Sequence, residues 1–580
     1  MNNTIKYSIL ALTMSVVTAV IAQKPEEEEE RLNGGSITVI KPYDPTISDA
    51  FKIKSIPTVS DTTKTKKKPV TYSIFSVPVA STFTPATGQL STLKKKKQPK
   101  HFDNYARLGL GNYTNVLAEF AANLEVDKDA DIGIFLNHNS SQGGIDEAFF
   151  DDDFSDSSLA LSYDVRTKQA NWNINAGAGY QTANLYGVHE PFRLLIADPD
   201  AIDTGVNYLT YGLGGTATFF DSVLSEAQVG LTGLSSGTDA TEMRITIAPR
   251  LNFAVVDSEI GLGILVDYLQ GSFGQQGLPI FPTDYGYLST TINPSINLYG
   301  DNYKATFGAR INYLNDSERS EGKLNFYPAI DASYIVAEEK LVAYTSINGD
   351  LDMNSLQQFA GENPFLAPAI AIMPTNRQLD AQLGIKGKLT AQFSYRVYVG
   401  YRIENDRFFY TKDAGNQTIA TVIETRPFVF GNVFYTQYGD LNTAFGGASL
   451  GFDVNETFNI TLNGQFNNYT VKNGVDFGNV ASHLPKFTSD IVANYKLNEQ
   501  WNLGATLYFV GERDVWRNGE GASTLDAFVD LNIDITYKIN PKLSAFLRGN
   551  NLTGGNYEFY QDFAVQSLQV MGGAVYKFDF

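Results

Sequence analysis

Asp530 and Asp534 stand four residues apart in a stretch whose other alternate positions are apolar, and two carboxylates so placed invite a reading as general acid and base. In an extended strand that spacing is about 13 Å, too wide even for an inverting glycosidase, so a lining role suits them better. The four histidines, His101, His138, His189 and His483, are scattered, and none lies at metal-ligand spacing from another, which argues against a zinc or iron site. Residues 146–156 (D-E-A-F-F-D-D-D-F-S-D) carry six carboxylates, enough for calcium if they converge. That run lacks the glycine and spacing of a calcium loop, and a solvated acidic loop is the plainer reading. With no cysteine there is no disulfide, no thiolate metal site and no thiol nucleophile. No serine-nucleophile elbow supports an esterase, because the Ser-Gly pairs lack a partnered histidine. The expectation is therefore no enzyme, no cofactor and no bound metal. The net charge of −19 fits with nucleic acid not being a partner.

The elements around these residues read as strands. From Leu525 to Ile539 the odd positions are Leu, Ala, Val, Leu, Ile, Ile, Tyr and Ile, while the even ones are mostly Asp, Asn, Thr and Lys. Fifteen residues of such alternation are long for a soluble sandwich but suit a strand tilted across a bilayer, which needs about ten residues in the hydrocarbon. Asn540, Pro541 and Lys542 turn the chain, 543–553 runs back, and the last segment sets Leu568, Val570, Gly572, Ala574, Tyr576, Phe578 and Phe580 on one face. Ending on an aromatic strand, with Tyr576, Phe578 and Phe580, resembles the sorting signal by which the barrel assembly machinery inserts outer-membrane barrels.

The same pattern recurs upstream. From residue 103 it predicts eleven out-and-back pairs, hence an all-β, antiparallel transmembrane barrel of about twenty-two strands over 103–580. Connections within pairs are mostly long (142–156, 183–205, 354–376, 407–440, 472–484), and those between pairs are tight turns such as 301–302, 455–456 and 540–541. The 32 Tyr and 38 Phe suit aromatic girdles at two membrane interfaces, and beyond the first segment no apolar run reaches helical spanning length. Residues 1–22 read as a secretory signal peptide, with Lys6, an apolar run and small residues Val20 and Ala22 preceding a cleavage between Ala22 and Gln23. Residues 23–102, rich in Pro, Thr, Lys and Ser, read as an extended periplasmic tail.

Within the barrel, the segment R-G-N-N-L-T at 548–553, Tyr557, and G-G-A-V-Y-K-F at 572–578 resemble the end of TonB-dependent receptors. The segment N-P-F-L-A-P-A-I-A-I-M-P-T at 363–375, followed by 383–388, resembles barrel-only relatives of that family. The resemblance spans about 103–580 and implies an outer-membrane location and passage or binding of solutes at the cell surface. The tail is too short for a receptor plug and lacks its glycine-rich motifs. Residues 36–40 distantly resemble a TonB box, a five-residue pattern that also recurs by chance. The missing plug leaves a second reading open, a non-transporting scaffold subunit of an outer-membrane assembly or secretion complex. Outer-membrane lipid and other envelope proteins are the expected partners. A lumen this wide needs occlusion. The apolar loop bearing Phe359, Phe365, Leu366, Ile370, Ile372 and Met373 is the expected gate, stiffened by Asn363-Pro364 and Met373-Pro374. Phe192, Leu194, Leu195 and Ile196 make 183–205 a second apolar loop.

Overall fold

The computed structural model describes residues 102–580 except 147, 197, 256–257, 275–283, 416–426 and 456; the signal peptide, its Ala22–Gln23 cleavage point, the tail and His101 lie outside the described residues. The chain forms β1 (Asn104–Gly111), β2 (Val116–Asp127), β3 (Ala130–Ser141), β4 (Phe154–Arg166), β5 (Ala170–Asn184), β6 (Gly205–Phe219), β7 (Leu224–Ser236) and β8 (Thr241–Val255). It continues through β9 (Ser258–Ser272), β10 (Asp284–Tyr299), β11 (Tyr303–Asp316), β12 (Glu321–Ala337), β13 (Leu341–Asp352), β14 (Thr375–Lys388), β15 (Phe393–Lys412) and β16 (Phe434–Asn455). The remainder are β17 (Phe458–Lys472), β18 (Phe487–Lys496), β19 (Trp501–Val510), β20 (Arg513–Arg517), β21 (Gly521–Leu525), β22 (Phe528–Lys538), β23 (Leu543–Asn550), β24 (Glu558–Tyr560), β25 (Phe563–Ala564) and β26 (Gln569–Phe578).

Two hairpins, β20–β21 and β24–β25, stand outside the wall, which passes directly from β19 to β22 and from β23 to β26. The other twenty-two strands pair antiparallel in chain order, and β26 returns to β1, from Asn104↔Phe578 to Gly111↔Met571. Closure leaves no strand edge, which is what a sheet in hydrocarbon requires.

The alternation has its polar face inward. On β4, Leu159, Leu161 and Tyr163 point out, and on β15 so do Val397, Val399 and Tyr401, all exposed in the isolated chain. On the alternate positions, Ser162, Asp164, Tyr398 and Arg402 face the lumen. Trp172, Tyr299, Tyr303, Tyr334, Tyr495 and Trp501 are likewise exposed and sit at strand ends beside the short turns, forming an aromatic girdle at that rim. This is a transmembrane barrel of the outer-membrane type. The short turns form because asparagine side-chain amide oxygens accept from the backbone just ahead: Asn540 Oδ1 from the Lys542 and Leu543 amides, and Asn498 Oδ1 from those of Gln500 and Trp501.

At the closing seam Gly109 faces Gly573. A Cβ on Gly573 would stand 2.1 Å from the Leu108 carbonyl oxygen, and the Phe546 ring lies over both glycines, with the Arg107 guanidinium 4.4 Å from its centroid. Only glycine allows this approach.

Two strand assignments differ from the sequence expectation. The stretch 524–539 is not one strand: Gly521–Leu525 pairs with Arg513–Arg517, the wall strand begins at Phe528, and Leu525 is buried instead of facing lipid. The predicted loop 407–440 is partly strand, since Arg407–Lys412 pairs with 434–439 beyond a register shift at Glu404/Arg407. Beyond that shift the β15–β16 ladder runs on as an extension covered on both sides, with every residue of Arg407–Lys412 buried.

Candidate functional site

Asp352 and Thr375 are cross-strand partners, so the segment 353–374 leaves and rejoins the wall on neighbouring strands. Its neck is closed by Asn354, whose Nδ2 donates to the Met373 carbonyl (2.6 Å) and to Thr375 Oγ1 (3.0 Å). Ser355 then caps helix α1 (Leu356–Glu362), its hydroxyl accepting from the Gln358 amide at 3.1 Å. Leu356, Phe359 and Ala360, at i, i+3 and i+4, form the buried face of α1. The remaining helix N-terminal donors are taken by the wall: the buried Glu242 carboxylate of β8 accepts from the amides of Leu356 (2.5 Å) and Gln357 (3.0 Å) and from the Tyr285 hydroxyl (2.7 Å). A carboxylate there complements both the orphan N–H groups and the helix dipole.

Asn363-Pro364 ends α1, and prolines at 364, 368 and 374 interrupt the rest of the segment, which builds no strand ladder of its own. Its carbonyls go to wall hydroxyls instead. Tyr208 of β6 donates to Pro364 O (3.1 Å), Tyr287 of β10 to Ile372 O (2.8 Å), and Thr436 and Tyr438 of β16 to Ala371 O (2.5 and 3.1 Å). Tyr410 of β15 donates to the Glu362 carboxylate at 3.0 Å, and Leu366 forms a parallel bridge with Phe434. Of the six residues singled out in sequence, Phe359, Leu366, Ile370 and Ile372 are buried in one apolar cluster with Tyr208, Leu234, Leu269, Phe408 and Phe434. Phe365 packs on that cluster and stacks on Phe563 with ring centroids 3.9 Å apart. Met373 stays at its edge, its sulfur 4.0 Å from Arg319. β6 and β16 lie almost opposite each other in the ring, so these contacts bridge the lumen.

The second apolar loop behaves differently. A single helical turn, Glu190–Arg193, turns Phe192 inward against Phe150, Val188 and Phe430, and leaves Leu194 93% exposed.

A group that sequence reasoning passed over ties the outer loops together. Lys412, fully buried beyond the membrane-spanning part of β15, donates from Nζ to the Gly187 carbonyl (2.9 Å) and the Gln561 carbonyl (3.0 Å). It stands 3.5 Å from the Asp562 carboxylate and 4.2 Å from the Phe563 ring centroid. Arg517 bridges Asp562 (2.7 Å) and Glu520 (3.2 Å), and Glu520 meets His189 at 2.6 Å. Loop 185–204 and both hairpins are thereby fastened to the end of β15. Burial pushes the Lys412 ammonium down to about 7, against the pull of Asp562. Burial, aided by the Arg513 charge, pushes His483 down to about 3. Its Nε2 accepts from the Gln561 amide while Nδ1 meets the Tyr410 carbonyl, so the ring is a neutral structural bridge.

The residues that suggested chemistry in sequence serve as fasteners. Asp530 accepts from the Tyr557 hydroxyl (2.7 Å) and Asp534 from Arg548 Nε (2.7 Å), so they are anchors of two different contacts and not an acid–base pair. Two G-x-S-x-G strings, 233–237 and 447–451, run along β7 and β16; neither turns into a helix, so neither is a nucleophile elbow. Asp152 accepts from the Ile145 amide, and Asp153 and Asp146 receive the Asn184 and Asn556 amide groups; no cluster suited to a metal ion occurs among the described residues.

No protein-family model and no curated protein matches the sequence. Among solved structures the chain superposes on the ferric-catecholate import receptor Fiu of E. coli K12, with a TM-score of 0.60 and 11% identity over 83% of this chain and 82% of that one. The chain has the barrel fold of these outer-membrane receptors. The receptor-type barrel is seen again in the siderophore receptor PirA from Acinetobacter baumannii (TM-score 0.59, 10% identity, 82% of this chain and 80% of that one). It recurs in the copper transporter OprC (0.59, 11% identity, 83% and 82%). At such identity the likeness is one of fold.

Proposed function

We propose that the protein is a gated outer-membrane barrel for passage or binding of solutes at the cell surface, and that loop 353–374 is its gate. The observation that carries the reading is that this loop is bonded at once to β6, β8 and β10 on one side and to β15 and β16 on the other, across the lumen. Phe359, Phe365, Leu366, Ile370, Ile372 and Met373 supply its apolar packing, and the fold shared with receptors and a copper transporter supports solute uptake. Tyr576, Phe578 and Phe580 serve, on the same reading, as the signal for the barrel assembly machinery. Deleting 359–373 should raise single-channel conductance and sensitivity to large antibiotics, while deleting 31–97 should change either little. A tail deletion that opens the pore while the loop deletion leaves it shut assigns the gate to the tail instead.

The scaffold reading is favoured by one feature, the fully projecting Leu194 beside the partly exposed Leu195 at the tip of loop 185–204, since apolar side chains so placed suit a partner protein. It predicts stable co-purification with envelope proteins in mild detergent, and no conductance even after the gate is deleted.

A further inference from the structure

Beneath α1, against the inner wall of β14 and β15, lies a cavity of about 360 Å³. Four guanidinium groups line it, from Arg244, Arg377, Arg402 and Arg407, and three carboxylates interleave with them, from Asp352, Glu362 and Glu404. Arg244 is held from behind by two bonds to Asp267 (2.9 and 2.6 Å) and Arg402 by Asp380 (2.9 Å), while Arg377 makes a single bond to Asp352 (2.9 Å) within the lining itself. A guanidinium has five N–H donors in a planar fork, so Arg377 and Arg244 keep donors beyond these bonds. Glu404 is the opposite case. It is 5% exposed, and its Oε2 is buried with no hydrogen-bond donor. A buried carboxylate oxygen left in that state is costly and calls for an N–H.

A simple anion in this space would meet Glu404 and Glu362, and a simple cation would meet four arginines. A molecule carrying both charges meets neither penalty. We propose that the cavity binds a small zwitterion, with its carboxylate toward Arg244 and Arg377 and its ammonium toward Glu404, the chemistry of an amino acid or short peptide. Its volume lies within the range of small-molecule sites. The aromatic run Phe408, Phe409 and Tyr410 closes one side and gives room for an apolar substituent. The site rests on the gating reading only in that α1 forms its roof.

The test is calorimetric titration of the full-length protein in detergent with dialanine, acetate, methylammonium and maltose. Saturable binding of dialanine alone is expected, weakened about tenfold or more in Glu404→Gln and in Arg377→Gln, the scale of one charge-assisted hydrogen bond. Each variant is checked for heat-modifiable migration in SDS, and Arg377→Lys should recover part of the affinity. Absence of saturable dialanine binding, equal binding of maltose, or unchanged affinity in a folded Glu404→Gln protein would overturn the proposal. None of these outcomes involves ion flux, so the gate stands or falls separately on the conductance of the loop deletion.

Discussion

Removing the Glu242 carboxylate should unlock the loop without touching it. Glu242 accepts three hydrogen bonds, from the Leu356 and Gln357 amides and the Tyr285 hydroxyl, at a site 4% exposed. Each hydrogen bond to a charged group contributes about 1.5–3 kcal/mol net, and because the three share one carboxylate they do not add fully. Leaving the two buried α1 amides without an acceptor costs about 1–3 kcal/mol each, about 2–4 kcal/mol together. That loss falls on the docked loop, since in a raised loop the α1 amides are free to meet water, whereas the Tyr285 bond lies within the wall in both states and drops out of the difference. A change of that size moves a two-state equilibrium by roughly 30- to 10³-fold. In planar bilayers Glu242→Ala should therefore show frequent openings where the native barrel is mostly silent, and Glu242→Gln, which keeps the shape but turns an N–H toward donors, should fall between. A Glu242→Ala barrel that is folded, migrates normally and opens no more often than the native one would refute this account of the lock.

Loop docking should also depend on Lys412. Its ammonium is pushed from the ordinary 10.5 down to about 7 in the docked state, so the undocked state binds more protons between those values; docking should strengthen as pH rises from about 7 toward 10.5 and be weakest below 7. Limited proteolysis of loop 185–204 across that window measures it, and Lys412→Met should flatten the profile. At the seam, Gly573→Val sets a side chain 2.1 Å from the Leu108 carbonyl oxygen, and should abolish the heat-modifiable band in SDS gels. On β14, Leu383→Arg places a charge on the lipid face, costing about 2–4 kcal/mol near the midplane, and should reduce assembled yield, whereas Gln382→Arg, facing the lumen, should assemble normally.

The wall was legible because lipid on one side and water on the other impose a period of two, and Asx turns punctuate it at 498 and 540. The signal failed where both faces of a strand are covered by protein. Arg407–Lys412 reads R-F-F-Y-T-K, with no alternation, because packed loops bury both of its sides. The break at 526–527 was invisible for the opposite reason: the alternation runs on through it, and no glycine or proline marks the point where the chain passes from hairpin to wall. Phe359, Leu366, Ile370 and Ile372 showed themselves as apolar side chains in a loop with nowhere to go in water. Their partners did not. Glu242 lies 114 residues from Leu356 and Tyr208 lies 156 from Pro364, and nothing local distinguishes a wall residue that meets a loop from one that meets water. Lys412 carried a faint signal, a lone lysine closing a run of three aromatics.

The pairing of Asp352 with Thr375 gives the loop two tethers at one point of the rim, in the manner of a flap on a hinge. An element held so cannot be drawn out through the far mouth of the barrel, as a separate domain in the lumen can. It can only lift toward the side on which its hinge lies. On the proposed gating role, the work of opening comes from whatever competes with the loop for Glu242 and the wall tyrosines.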